Sequence, residues 1–443
     1  MNNLISKWWR SFQFKLFLQQ DNKLQAIKLL RVIEKSGAKL SYLERLFRDK
    51  LQLEDSAKQY KQETKILSSK LNTALQELEQ KPDLKIAVEN QNRDNFRLTS
   101  DPEFIKFIHK AFNLIKHDEN KLQCTGIDER IFDDFEAQLV EYLKEEFNRI
   151  PDKQLDIKLE DALEDINSLK CGKDPDYRFS LTPHVYYMKY FLENVYCVYL
   201  AWFLIYESGL LPTNVNILDI AAGPGTVAYG LALFLQSTSG FFKIPQMHIS
   251  YYSLEKQNAF QFRGLQFWRR YIESRKSPVN AFFRFVTSDI FNWNQQSNKI
   301  PTDFFDFVVI SHCFFNDSAR SIQANSIYKQ IINNSLKDEG YALLILQDKK
   351  LYKGYDAYQC EDHEQEKRLV KKFLDELGLE LVWYKYLTST GLRSPLQGTE
   401  FGKFAQEKLP KKLQMTTLLK KYLNQKFQTH YALDDYVILA KKY

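Results

Sequence analysis

The stretch that most constrains this chain is the junction VNILDIAAGPGTVAYGLALFLQS, residues 215–237. Apolar, β-branched residues run up to one acid, Asp219, and then into a loop of small residues, Ala221, Ala222, Gly223 and Gly225. From Thr226 the pattern becomes helical. Strand, small-residue turn and helix in that order bring bare backbone and a helix start to one place, which suits the binding of a nucleotide. The alternation continues on both sides. A lead-in helix is expected over 183–208, with strands over 215–221, 248–254, 282–287, 305–311, 341–347, 379–387 and 434–443. Helices are expected between them over 226–237, 256–274, 319–336 and 361–377. Such alternation predicts an α/β domain with a largely parallel sheet over residues 181–443.

The glycine loop alone leaves two nucleotides open. Gly223-Pro-Gly225-Thr-Val-Ala228 reads as G-x-G-x-x-A, and Glu255 after the second strand stands where a dinucleotide's ribose partner would be. That reading makes the chain an NAD(P)-dependent oxidoreductase. Three features favour S-adenosylmethionine instead. Asp219, four residues before Gly223, would lie beneath a terminal amine that NAD lacks. Asp289 and Ile290 in SDIF follow the third strand, where one could accept from an adenine amine and the other pack on the ring. Two further strands after the fifth helix suit a terminal hairpin better than a second mononucleotide half.

These residues resemble the class I S-adenosylmethionine-dependent methyltransferase superfamily. The resemblance rests on ILDIAAGPGT, SLEKQ with Glu255 and Lys256, SDIF with Asp289 and Ile290, and VVISHCFF with Ser311, His312 and Cys313. It implies a Rossmann-like seven-stranded methyltransferase sheet of order 3-2-1-4-5-7-6, with the last strand antiparallel. It further implies S-adenosyl-L-methionine as cofactor. Asp219, Ala221, Ala222, Gly223, Gly225 and Thr226 would cradle its methionine, Glu255 and Lys256 its ribose, and Asp289 and Ile290 its adenine. Ser311, His312 and Cys313 would lie near the reactive methyl. A narrower similarity links YYMKYFLENVY, GPGT and ISHCFFND to the ribosomal small-subunit methyltransferase-like family, although the cysteine cluster of that family is missing here.

The acceptor side is less defined. SHCF has neither the [DN]-P-P-[YF] of enzymes that methylate exocyclic amines nor the Pro-Cys of cytosine-C5 enzymes. His312 is a candidate general base, or else a neutral histidine lining the cofactor. Asn316 and Asp317 either shape an acceptor pocket or cap the next helix. On the lead-in helix Tyr186, Tyr190, Asn194 and Cys197 fall on one face with Lys189 beside it, a candidate cofactor lid or acceptor wall.

Residues 1–180 read as an all-helical N-terminal region with a coiled-coil-like segment. A helical arm is expected over 1–82 and a helical domain over 83–180. In the arm, Leu53, Ala57, Tyr60, Thr64, Leu67, Leu71, Ala74 and Leu78 keep a heptad pattern that suits self-association. The net charge of +6 is unevenly spread, with residues 1–50 near +7, residues 388–443 near +6 and the rest near −7. Basic ends suggest RNA or another polyanion as partner, with Arg393, Lys403, Lys408, Lys411 and Lys412 after the sixth strand as candidates.

Five scattered cysteines without a C-x-x-C pair argue against a disulfide framework or a closed zinc site, so no metal is expected, and they suit a reducing, cytoplasmic setting. The longest apolar run, residues 195–206, is too short to cross a bilayer and is expected to be a buried helix. The reading that follows is an S-adenosylmethionine-dependent methyltransferase with RNA as the favoured acceptor. A catalytically silent methyltransferase fold serving as an assembly or RNA-binding factor is the alternative.

Overall fold

The computed structural model describes residues 12–35 (except 19 and 21), 97–171, 179–242, 247–275, 279–293, 300–315, 317–394, 398–424 and 429–443, with single positions 175 and 396. The heptad segment 53–78, most of residues 1–50 and Asn316 lie outside these. The chain divides into two compact units, Met1–Asp94 and Asn95–Tyr443. In the first, helix α1 (Lys23–Lys35) buries Ala26 and Leu30 in a small cluster with Phe14.

The second unit opens with α2 (Pro102–Ala111), β1 (Leu114–Lys116), β2 (Lys121–Cys124), α3 (Glu129–Asn148) and α4 (Asp152–Asn167). Next comes the lead-in helix, in two α segments, α5 (Thr182–Tyr186) and α6 (Leu192–Glu207), joined by a π-helical turn at Tyr187–Phe191. Then follow β3 (Asn214–Ile220), α7 (Thr226–Ser237), β4 (Met247–Glu255), α8 (Asn258–Tyr271), β5 (Val279–Thr287), β6 (Phe305–Ser311) and α9 (Ser318–Ser335). The unit closes with β7 (Leu336–Gln347), α10 (Asp348–Gly354), α11 (His363–Leu377), β8 (Leu379–Thr388), α12 (Gly398–Lys408), α13 (Leu413–Leu423) and β9 (Asp434–Lys442).

Among the described residues all nine strands form one mixed sheet in the order β1-β2-β8-β9-β7-β6-β3-β4-β5. The expected sheet had seven strands, so the full order differs from the expected one. Numbered from β3, the strands β3–β9 stand as 3-2-1-4-5-7-6, and the β1–β2 hairpin extends their β8 edge. β9 runs antiparallel to both β7 and β8, whereas β3, β4, β5, β6 and β7 are parallel neighbours.

The hairpin corrects the expectation of an all-helical N-terminal region. Residues 103–117 carry a helical apolar pattern, but the helix stops when Asn113 takes a left-handed backbone (φ 45°). Asparagine tolerates that conformation better than most residues. The Phe112 carbonyl then accepts the Thr125 and Gly126 N–H groups, so the chain folds back on itself. At the hairpin turn one Asp118 carboxylate oxygen accepts the N–H groups of both Asn120 and Lys121 at 2.8 Å.

Alternate residues of each central strand enter different cores, as the period of a strand requires. Ile217, Phe307, Val309, Leu343 and Ile345 pack with α2, α3, α6, α7 and α8. Leu218, Ile220, Val308, Ile310 and Leu344 pack with α9 and α11. The apolar run 195–206 is buried over its whole length within the first of these cores. Among the described residues no helix is long and apolar enough to cross a membrane.

Residues after β8 form α12 and α13. Met415, Leu418 and Leu419 anchor α13 in the core, and the buried Glu136 carboxylate accepts the Gln414 and Met415 N–H groups at its start. A negative charge there also suits the helix dipole. Two of the basic residues expected to face a polyanion are used internally. Arg393 is 4% exposed and pairs with Glu366 and Asp118, and Lys412 is 2% exposed and pairs with Glu193 at 2.8 Å. Lys403, Lys408, Lys411, Lys420 and Lys421 are exposed.

Candidate functional site

Chain order reverses between β3 and β6. From β3 the sheet grows through β4 to β5, then returns to add β6 and β7 on the other side. The carboxyl ends of two neighbouring strands diverge there and leave a crevice, the usual ligand position in an open α/β sheet. Nearly every sequence-predicted residue comes to this edge. The loop 221–225 follows β3, Glu255 closes β4, Asp289 follows β5, Ser311 closes β6 and His312 follows it. Antiparallel β9 brings its first residues, Asp434 and Asp435, to the same edge.

The loop has left-handed backbone at Ala221 (φ 55°), Gly223 (φ 53°) and Gly225 (φ 86°). At Gly223 a side chain would meet nothing within 4 Å, so the loop faces open space. At Gly264 of α8 the opposite holds, because a Cβ would stand 2.1 Å from the Pro224 carbonyl oxygen. Glycine there lets α8 lie directly against the loop. Glu255 fastens the other side, accepting the Gly223 N–H at 2.7 Å and the Gln257 N–H at 2.9 Å.

Asp219 is almost wholly buried, and one of its oxygens accepts the Tyr251 hydroxyl from β4. That hydroxyl lies 3.7 Å from where a Cβ of Gly225 would be. Burial, helped by the nearby Glu255 charge and opposed by the Tyr251 bond, pushes the Asp219 carboxyl up to about 8. Asp289 caps the turn after β5 through the Phe291 N–H and pairs with Lys256 at 3.0 Å, while Ile290 is buried beside it.

Just beyond β6, His312 has a left-handed backbone (φ 59°), held by its N–H bond to the Ile345 carbonyl at 2.7 Å. Its ring spans two partners, with Nδ1 2.9 Å from Ser311 Oγ and Nε2 3.2 Å from Asp435 Oδ1. The Cys313 carbonyl accepts the Tyr328 hydroxyl at 2.7 Å. Asp317 accepts the Arg320 N–H at 2.8 Å and so caps α9.

On the lead-in helix Asn194 donates to the Tyr186 hydroxyl at 3.0 Å, and the Tyr186 ring meets Phe260 of α8 edge-on. Tyr190 stacks obliquely on Tyr186. Lys189 turns away, donating to Asn167 at 3.2 Å. Burial raises the Glu193 carboxyl against the opposing effect of Lys412. The edge is also rich in acid. Burial first, then neighbouring carboxylates, push Asp348 up to about 6 and Asp434 up to about 7.

Sequence reasoning missed Tyr251, Glu193 and Asp435. Tyr251 is signalled only by strand alternation in HISYYSL. Asp435 sits in the last strand, and only the β7–β9 register brings it to His312.

No protein-family model and no curated protein matches the chain. Solved structures similar to it include an S-adenosylmethionine-dependent methyltransferase from Methanosarcina mazei, 15% identical, covering 52% of this chain and 94% of that one, with a TM-score of 0.30. The YcgJ protein of Bacillus subtilis is 13% identical over 55% of this chain and 98% of its own, also at 0.30. A chain of the fibrillarin/Nop5p complex is 13% identical over 53% and 75%, at 0.29. These likenesses are weak. The class I methyltransferase fold assignment rests on the order of β3–β9 and on the glycine loop.

Proposed function

We propose that residues 181–443 bind S-adenosylmethionine at the 221–225 loop and transfer its methyl group to an acceptor at the mouth of β6. One observation supports this above the rest: the open, left-handed glycine loop stands at the point of strand-order reversal with Glu255 beside it. The residues fit the cofactor: Gly223 leaves open space beside the loop, and on this reading Glu255 at the end of β4 would take the ribose and Asp289 with Ile290 after β5 the adenine. When bound, the cofactor supplies an electrophilic methyl on a sulfonium. Asp219 then works as a positioning residue, tying β3 to β4 through Tyr251 beneath the loop. Tyr186, Tyr190 and Asn194 wall the site, and His312 is assigned to acceptor-side chemistry. Methyl transfer is an in-line displacement, so alignment and exclusion of water are the protein's main contributions.

RNA is the proposed acceptor, supported by the exposed lysines of α12 and α13. Calorimetric titration tests the donor reading. Micromolar binding of S-adenosylmethionine or its demethylated product, weakened by Glu255→Ala, is expected. Binding of NAD with neither of these would overturn it.

A second reading has its own support. Glu255 already accepts two backbone N–H groups and Asp219 already accepts Tyr251, as in a fold that keeps its loop without turning over. Labelled-methyl transfer to cellular RNA, abolished by Asp219→Ala, would rule out this silent assembly or RNA-binding role.

A further inference from the structure

Three elements far apart in the chain bring three different ligand types together behind the acceptor side. α6 contributes Cys197, the end of β6 His312 and the start of β9 Asp435. The Cys197 sulfur, a His312 ring nitrogen and an Asp435 oxygen all lie within 4.8 Å of one another. An ion bonding at about 2.0–2.3 Å would need them drawn somewhat closer, a shift within reach of side-chain rotation.

Among the described residues the Cys197 thiol has no hydrogen-bond partner, and it is 1% exposed. The His312 ring is held at Nδ1 by Ser311, which leaves Nε2 directed at Asp435. Metal-binding histidines are characteristically fixed in this way, with the second nitrogen held by an outer partner. His312 also keeps a left-handed backbone, a local cost of the kind that gathers at functional sites. The adjacent Glu193 is matched by Lys412 and adds no net charge.

We infer that Cys197, His312 and Asp435 form a three-ligand site for a zinc-class divalent ion. Mixed sulfur, nitrogen and oxygen ligands select such ions over magnesium or calcium, which take oxygen alone. Thiolate and carboxylate together balance the dication, and the Cys197 proton is released to solvent on binding. Three protein ligands leave a fourth position, as in catalytic rather than structural zinc sites. There the ion would lower the pKa of a bound hydroxyl or thiol, making the acceptor an oxygen or sulfur nucleophile.

The site stands independently of donor binding. Cobalt titration of the full chain, stripped with chelator, reads it directly. One equivalent should give a thiolate-to-cobalt charge-transfer band, and zinc should displace it. Cys197→Ser should abolish the band, Asp435→Asn should weaken binding at least tenfold, and Cys360→Ser should change neither. Circular dichroism in chelator confirms that the variants are folded, and Asp435→Asn carries the test if Cys197→Ser is not. Wild type that is folded but shows no band, or a band that survives Cys197→Ser, would overturn the inference. Failure to bind S-adenosylmethionine with the cobalt band intact would count against the donor reading alone.

Discussion

Two side chains at the start of the crevice carry measurable strain or charge. A carboxyl raised in the fold favours the protonated form, so its stabilising effect is full below its ordinary value of 3.8. For Asp219 that contribution is lost as pH climbs toward about 8. Urea unfolding at pH 5, 6.5 and 8 should therefore show Asp219→Asn gaining on wild type as pH rises. The slope is up to about 1.4 kcal/mol per pH unit. Ala221 keeps a left-handed backbone that glycine adopts without strain. Ala221→Gly should therefore stabilise the fold by about 1 kcal/mol, seen as a higher Tm. Both residues were legible in the loop sequence, but their states were not. Burial of Asp219 depends on Tyr251, and the pairing of two strands decides that contact.

At the scale of elements, the strand–helix rhythm after residue 183 was readable because each central strand is an apolar run between turn residues. The β1–β2 hairpin was not, since FIKFIHKAFNLIKH keeps a helical period beyond the true helix end. The backbone turn at Asn113 decides that end, and no apolar spacing encodes it. The contact of α8 with the loop was equally hidden, because Gly264 looks like an ordinary weak point in a helix. Gly264→Ala should drive the Cβ into Pro224, lower stability by about 1–3 kcal/mol and weaken donor binding. Thermal unfolding and calorimetric titration of that one variant would separate the two effects.

For the whole molecule, charge read along the sequence overstated what reaches the surface. Arg393 and Lys412 serve buried acids, so any polyanion binding in the C-terminal region falls to the exposed lysines of α12 and α13. Replacing Lys403, Lys408 and Lys411 by alanine should weaken binding to single-stranded RNA across sequences. It should also flatten the salt dependence by about 0.7 in logarithmic slope for each phosphate no longer neutralised. An unchanged slope in filter-binding assays would remove these lysines as support for the RNA proposal.

β9 has a consequence for the order of assembly. It lies between β7 and β8, yet it follows both in the chain. Until it is made, β8 and the hairpin beside it have no hydrogen-bonded route to the rest of the sheet. Closure of the sheet therefore waits for β9, whichever of its neighbours forms first. Asp435 arrives with that closure, so a nascent chain lacks its third proposed metal ligand until the sheet is whole.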